Sequence, residues 1–155
     1  MNRMNAVKGL VLGLCVFFIS TPLFAGVGRI AEISDIQGDV QFRKGGTTEW
    51  KGAEKGMILL EGDSIKTGAV AKAKILLDKA GETGQLDLAP NSLLRLQTLK
   101  KDSTTEDKTT LLDLALGKVL IKAEKLKGNS SFQVKTPTSI CGVRGTTFEV
   151  SVDEG

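Results

Sequence analysis

Residues 71–75 read Ala-Lys-Ala-Lys-Ile. The same two-residue period returns at Val119-Leu120-Ile121-Lys122, at Phe132-Gln133-Val134-Lys135 and, most plainly, at Phe148-Glu149-Val150-Ser151-Val152. Successive side chains of an extended chain point to opposite faces, so this pattern builds strands with one buried and one wet face. Amphipathic stretches of helical length are missing, and glycine and aspartate punctuate the runs. The fold class that follows is all-β. Ten short strands are predicted, over 30–35, 38–43, 64–66, 71–78, 85–88, 92–97, 110–114, 118–123, 131–135 and 146–152.

Two weak echoes bear on how those strands are arranged. Gly38-Asp39 returns as Gly62-Asp63, and Leu86-Asp87-Leu88-Ala89 returns as Leu112-Asp113-Leu114-Ala115. Spacings of this order suit the coils of a stacked β-architecture, in which neighbours bury each other's apolar face. The expectation is therefore a solenoid-like or roll-like stack of short strands, with a β-sandwich of hairpins as the alternative. The polar run 98–109 has one apolar residue, Leu99. It is read as an exposed loop or hairpin tip adding almost nothing to a core. Residues 45–48 form a second turn, and neither loop divides the chain into domains.

The start of the chain has a different character. Arg3 and Lys8 precede an apolar run over 9–20, and Pro22 leads into Leu23-Phe24-Ala25. That is the pattern of a secretory signal cut after Ala25. The run is shorter than the roughly 20 residues a spanning helix needs, which disfavours a retained anchor. Cys15 lies mid-run without the small residue that lipid attachment would want before it. The expected organisation is a signal peptide over 1–25 and a single domain over 26–155, periplasmic or secreted, with no membrane span after processing.

Beyond residue 25 the charge nearly balances. Removing Arg3 and Lys8 from 21 basic residues leaves 19 against 18 acidic ones. Only Phe42, Trp50, Phe132 and Phe148 remain as aromatics. Neither feature points to a nucleic-acid partner. Histidine is absent and Cys141 is the single cysteine of the domain, so no internal disulfide and no zinc site of the usual kind can form.

The candidate chemical residues each have a plainer reading. A catalytic thiol needs a base, most often histidine; Cys141, set in Ile140-Cys141-Gly142-Val143, is expected to be buried and inert, ahead of an intermolecular disulfide. Gly142 and Gly145 flank Val143-Arg144 and predict a bend or bulge leading into Thr146 and the last strand. Arg144 is expected to anchor that corner through hydrogen bonds, the other reading being a partner's carboxylate. Asp39, Asp63, Asp87 and Asp113 could be imagined as a glycosidase pair. Their Gly-Asp and Leu-Asp-Leu settings instead suit turn capping and the wet face of a strand. No catalytic, cofactor or metal residues are assigned.

Taken in order, Gly38-Asp39-Val40, Trp50, Leu60-Glu61-Gly62-Asp63-Ser64-Ile65-Lys66-Thr67-Gly68, Ala73 to Asp78, Leu88-Ala89-Pro90-Asn91-Ser92, Leu116-Gly117-Lys118-Val119, Thr136-Pro137-Thr138 and Gly142-Val143-Arg144-Gly145-Thr146-Thr147-Phe148-Glu149-Val150 resemble the FecR domain of bacterial envelope proteins. The resemblance runs over roughly 35–152. It implies an all-β, non-enzymatic envelope domain that contacts another envelope protein or a surface ligand. Gly62, Asp63, Thr136, Pro137, Gly142, Arg144, Gly145, Thr146 and Phe148 are its motif residues. The namesake couples an iron-siderophore transporter to a sigma factor through a cytoplasmic segment and one membrane span. This chain has no such segment before its apolar run, so sigma-factor regulation by an anchored sensor is the alternative reading. Family members often continue with further strands, which implies a shortened domain with an uncovered edge here.

Overall fold

The computed structural model describes residues 27–153; the expected signal peptide lies outside the described residues. Apart from a single 3-10 turn at Lys79–Gly81, every regular element is a strand. The strands are β1 (Val27–Gly28), β2 (Ala31–Gln37), β3 (Val40–Arg43), β4 (Lys51–Gly52), β5 (Ile58–Leu59), β6 (Ser64–Thr67), β7 (Lys72–Leu77), β8 (Gly84–Leu88), β9 (Leu93–Lys101), β10 (Lys108–Ala123), β11 (Ser131–Lys135), β12 (Ile140–Val143) and β13 (Thr147–Val152). Among the described residues no helix is long and apolar enough to cross a membrane.

The thirteen strands form one continuous sheet, curled into a half-barrel around β10. The first half of β10 pairs with β9 and, in parallel, with β11; its second half pairs with β8 and β13. One half of the sheet therefore runs β4-β3-β6-β9-β10-β11-β12, and the other runs β5-β2-β7-β8-β10-β13. The inward residues of both halves meet in one cluster. Ile65, Leu94, Leu96, Leu112, Leu114, Phe132 and Val134 come from the first half, and Ile33, Ile75, Leu77, Leu86, Val119 and Ile121 from the second; all are essentially inaccessible. Each such side chain contributes on the order of 1.5–3 kcal/mol by leaving water, and together they are why the alternating segments hold as strands.

The bend in β10 has a specific cause. At Gly117 φ is +85°, a conformation that costs other residues energy. An added Cβ there would lie 2.5 Å from Ser92 Cα and from Asn91 O. Ser92 closes the corner: its hydroxyl accepts from Lys118 N at 2.9 Å and donates to Lys118 O at 3.1 Å. Thr67 Oγ1 in turn accepts from Ser92 N at 2.9 Å and donates to Ala89 O at 2.6 Å.

Three expectations are corrected here. The stack of coils is absent, because among the described residues every strand pair except β10–β11 is antiparallel; the sheet is roll-like in its curl alone. The echoes are strand alternation and turns. Leu86 and Leu88 face the core from one half, and Leu112 and Leu114 from the other, with Asp87 and Asp113 on opposite outer faces. The predicted strands 110–114 and 118–123 are one strand, since Gly117 bends the chain without breaking its ladder. Finally, the polar run 98–109 does form a hairpin, between β9 and β10, but Leu99 within it is fully buried and so does contribute to the core.

Candidate binding surface at the open edges

β11 and β12 form a hairpin whose turn is Thr136-Pro137-Thr138-Ser139. Thr136 closes that turn: its N donates to Ser139 O at 2.8 Å and its Oγ1 accepts from Ser139 N at 3.1 Å. Thr136 is buried while Pro137, Thr138 and Ser139 are exposed. Among the described residues β12 pairs with β11 alone and is a free edge of the first half of the sheet, as β4 is at its other end; β13 pairs with β10 alone and is a free edge of the second, as β5 is at its other end. Between the two edges opens a cleft of about 680 Å³, with Leu116, Pro137, Cys141, Phe148 and Val150 among its walls. The sequence segment 136–150 therefore borders the opening of the half-barrel on both sides.

The link between the edges is the predicted bend, at Arg144 and Gly145. Gly145 has φ +69°, and a Cβ there would stand 3.0 Å from Lys125 Cα. Beside it Thr146 O accepts from Ala123 N at 3.1 Å. Gly142 does something different: it sits inside β12 opposite Gln133, with nothing within 4 Å of a Cβ. Phe148 lies opposite Ile121 and packs on the core from β13.

Two expectations for this segment fail. Cys141 is exposed. It faces the same way as its cross-strand neighbour Val134, which is fully buried, but at β12 that side opens onto the cleft. Arg144 is exposed and makes no side-chain hydrogen bond or ion pair among the described residues, so it anchors nothing. The corner is held by backbone bonding and by Gly145 instead.

The aspartates are dispersed over separate elements. Asp63 is buried and accepts from Gly45 N at 2.7 Å and Leu60 N at 2.9 Å. Gly62 beside it has φ +92°, and its N donates to Leu96 O at 2.7 Å. Asp39 is exposed at the turn before β3, Asp87 is bonded by Gln85 on β8, and Asp113 lies on the outer face of β10.

A polar cluster that sequence reasoning missed centres on Asp78. Asp78 takes a bidentate pair from Arg29, Nε to Oδ1 at 2.8 Å and Nη2 to Oδ2 at 2.9 Å, and a bond from Lys108 Nζ at 2.9 Å. The Thr83 hydroxyl also donates to it. Arg29 Nη1 continues to Thr110 Oγ1 at 2.9 Å. Burial opposes the ionised form of Asp78, but hydrogen bonds from Arg29, Thr83 and Lys108 outweigh it and bring the pKa from 3.8 to about 2. No local signal marks this cluster, because its members come from four segments between residues 29 and 110. With every strong donor already satisfied by protein, it is a clamp rather than a reactive site.

No curated protein and no solved structure matches the chain. A family model described as FecR protein matches residues 63–155, from the buried Asp63 turn through both open edges. Residues 35–62 of the resemblance fall outside that span. The chain belongs to the FecR family.

Proposed function

We propose that this protein is a non-enzymatic, exported binding module of the bacterial envelope, and that β12 and β13 receive an extended segment of another envelope protein by strand addition. The observation that carries the reading is the pair of free edges bordering one cleft, with Cys141 facing it from β12 and Ile140, 64% exposed, on the outer side of the same edge. Free edges offer unpaired backbone groups, and natural proteins usually blunt them with charge. The core-side residues of these edges, Cys141 on β12 and Phe148 and Val150 on β13, carry none; the charges lining the cleft are Glu149 and Asp153.

Cys141, the one cysteine among the described residues and exposed, supplies the test. A benzophenone maleimide on Cys141 is photolysed in intact cells, alongside the same label on Val70→Cys in a Cys141→Ala background; Val70 is 87% exposed and remote in sequence. A discrete adduct from position 141, lost when Ile140→Lys puts charge on the edge, supports strand addition. The same adducts from both positions would overturn it.

A second reading, regulation of a sigma factor by an anchored sensor, is favoured by membership of a regulatory envelope family. It requires that residues 1–25 stay attached. Intact mass of the protein recovered from membranes decides this, since cleavage after Ala25 excludes that route.

A further inference from the structure

The outer faces of the two halves of the sheet carry charge differently. On the half containing β8 and β13, acids and bases alternate and pair, with Lys118 3.2 Å from Glu149 and Lys122 3.7 Å from Asp87. On the other half one cross-strand row runs Arg43, Ser64, Arg95, Asp113, Lys135, each the register partner of the next. Their chain neighbours Phe42, Ile65, Leu94, Leu112 and Val134 all belong to or pack on the core, so the row itself lies on the outer face. Lys66 joins it from β6. Among the described residues none of Arg43, Lys66, Arg95 and Lys135 is in an ion pair. Trp50 steadies one end, with the Arg43 guanidinium 4.8 Å and the Lys66 ammonium 4.5 Å from its ring centre.

From this we infer a second binding surface, separate from the open edges, for a linear acidic polysaccharide. Adjacent strands lie roughly 4.8 Å apart, so Arg43, Arg95 and Lys135, on alternate strands, recur roughly every 10 Å. That is comparable with a disaccharide repeat, so the cations would meet every second carboxylate of a linear polyuronate. Arginine's planar fork suits such a group. Asp113, between Arg95 and Lys135, offers an acceptor for sugar hydroxyls while disfavouring a uniformly anionic surface such as a bilayer. An acidic peptide gains little on this face, because the backbone groups of β6, β9, β10 and β11 are already engaged in ladders on both sides. Charge outside the first 25 residues is nearly balanced, so net charge alone draws no polyanion and a local row of cations is what would hold one.

The experiment measures binding of a defined-length alginate oligosaccharide to the full chain at low and moderate salt. Neutral dextran, polyglutamate and phosphatidylglycerol vesicles are the parallel arms. Arg95→Glu and Lys135→Glu are expected to weaken alginate binding about tenfold or more each. Lys74→Glu, which makes the same change of net charge on the other half, should alter it less than about twofold. Unchanged thermal unfolding separates lost binding from lost fold. Equal losses from all three variants, equal binding of dextran, or polyglutamate or vesicles bound as tightly as alginate would each overturn the assignment.

Discussion

Asp78→Asn tests whether the buried clamp supports the fold. The substitution keeps size and shape but replaces an acceptor-only carboxylate with an amide whose NH2 faces other donors. Arg29, with a side chain 4% exposed, then loses its paired charge. Removing one partner of a buried ion pair typically costs about 3–5 kcal/mol. The lower end applies here, because Arg29 keeps Thr110 and the Thr109 carbonyl, and Lys108 has Glu82 at 3.7 Å. Linkage gives an independent figure. A carboxylate brought from 3.8 to about 2 on folding stabilises the native state by about 2 kcal/mol at neutral pH. Because the folded pKa is the lower one, that stability is complete above the unfolded value and fades as pH falls through the folded value. Urea unfolding followed by Trp50 fluorescence should show the variant about 2–3 kcal/mol less stable at pH 7, with the gap closing between about pH 5 and pH 2. Backbone strain does not confuse the comparison. Asp78 has φ +64° and ψ −175°, which Asn inherits unchanged. A gap under about 0.5 kcal/mol at pH 7, or one that persists undiminished to pH 2, would refute the reasoning.

Gly117→Ala should be strongly destabilising, by about 3 kcal/mol or more, since both its positive φ and the backbone of Asn91 and Ser92 oppose a Cβ. Gly142→Ala, in open space on β12, should stay within about 0.5 kcal/mol of the parent in the same urea titration. Asp63→Ala strands Gly45 N and Leu60 N and should cost about 1–3 kcal/mol, measured the same way. Cys141 in the native protein should react with a thiol reagent to one equivalent without denaturant; modification only after unfolding would contradict its exposure.

Strand alternation was legible because it is written locally: Ala73, Ile75 and Leu77 face the core, and Lys72 and Lys74 face water. The four strands missed, β1, β4, β5 and β12, are two to four residues long and owe their form to partners rather than to their own pattern. How the strands were arranged was not legible either. Pairing order depends on contacts such as Arg29 to Asp78, 49 positions apart, which no window reveals. At the candidate surface the bend at Gly145 was visible as glycine spacing. The exposure of Cys141 was not, because Ile140-Cys141-Gly142-Val143 reads as buried unless the missing neighbour beyond β12 is known. Arg144 misled for a related reason: a glycine-flanked arginine looks like an anchor, but the backbone already held the corner.

The family-matched residues divide into two physical groups, and the division bears on where function lies. Asp63, Ser92 and Gly117 have their polar or backbone groups fully engaged in closing corners, and Ser92 with Gly117 sets the fold of the sheet on itself. Altering them destabilises the half-barrel that carries the edges, so loss of binding in such variants does not by itself report on contact. Gly142 and Arg144 have open surroundings, yet lie in the same matched span. Among the described residues no side-chain hydrogen bond or ion pair holds Arg144 where it stands. Under the proposed strand addition, Arg144, exposed at the bend between the two edges, is free to meet a carboxylate of the added segment, and that is the reading the edge variants test.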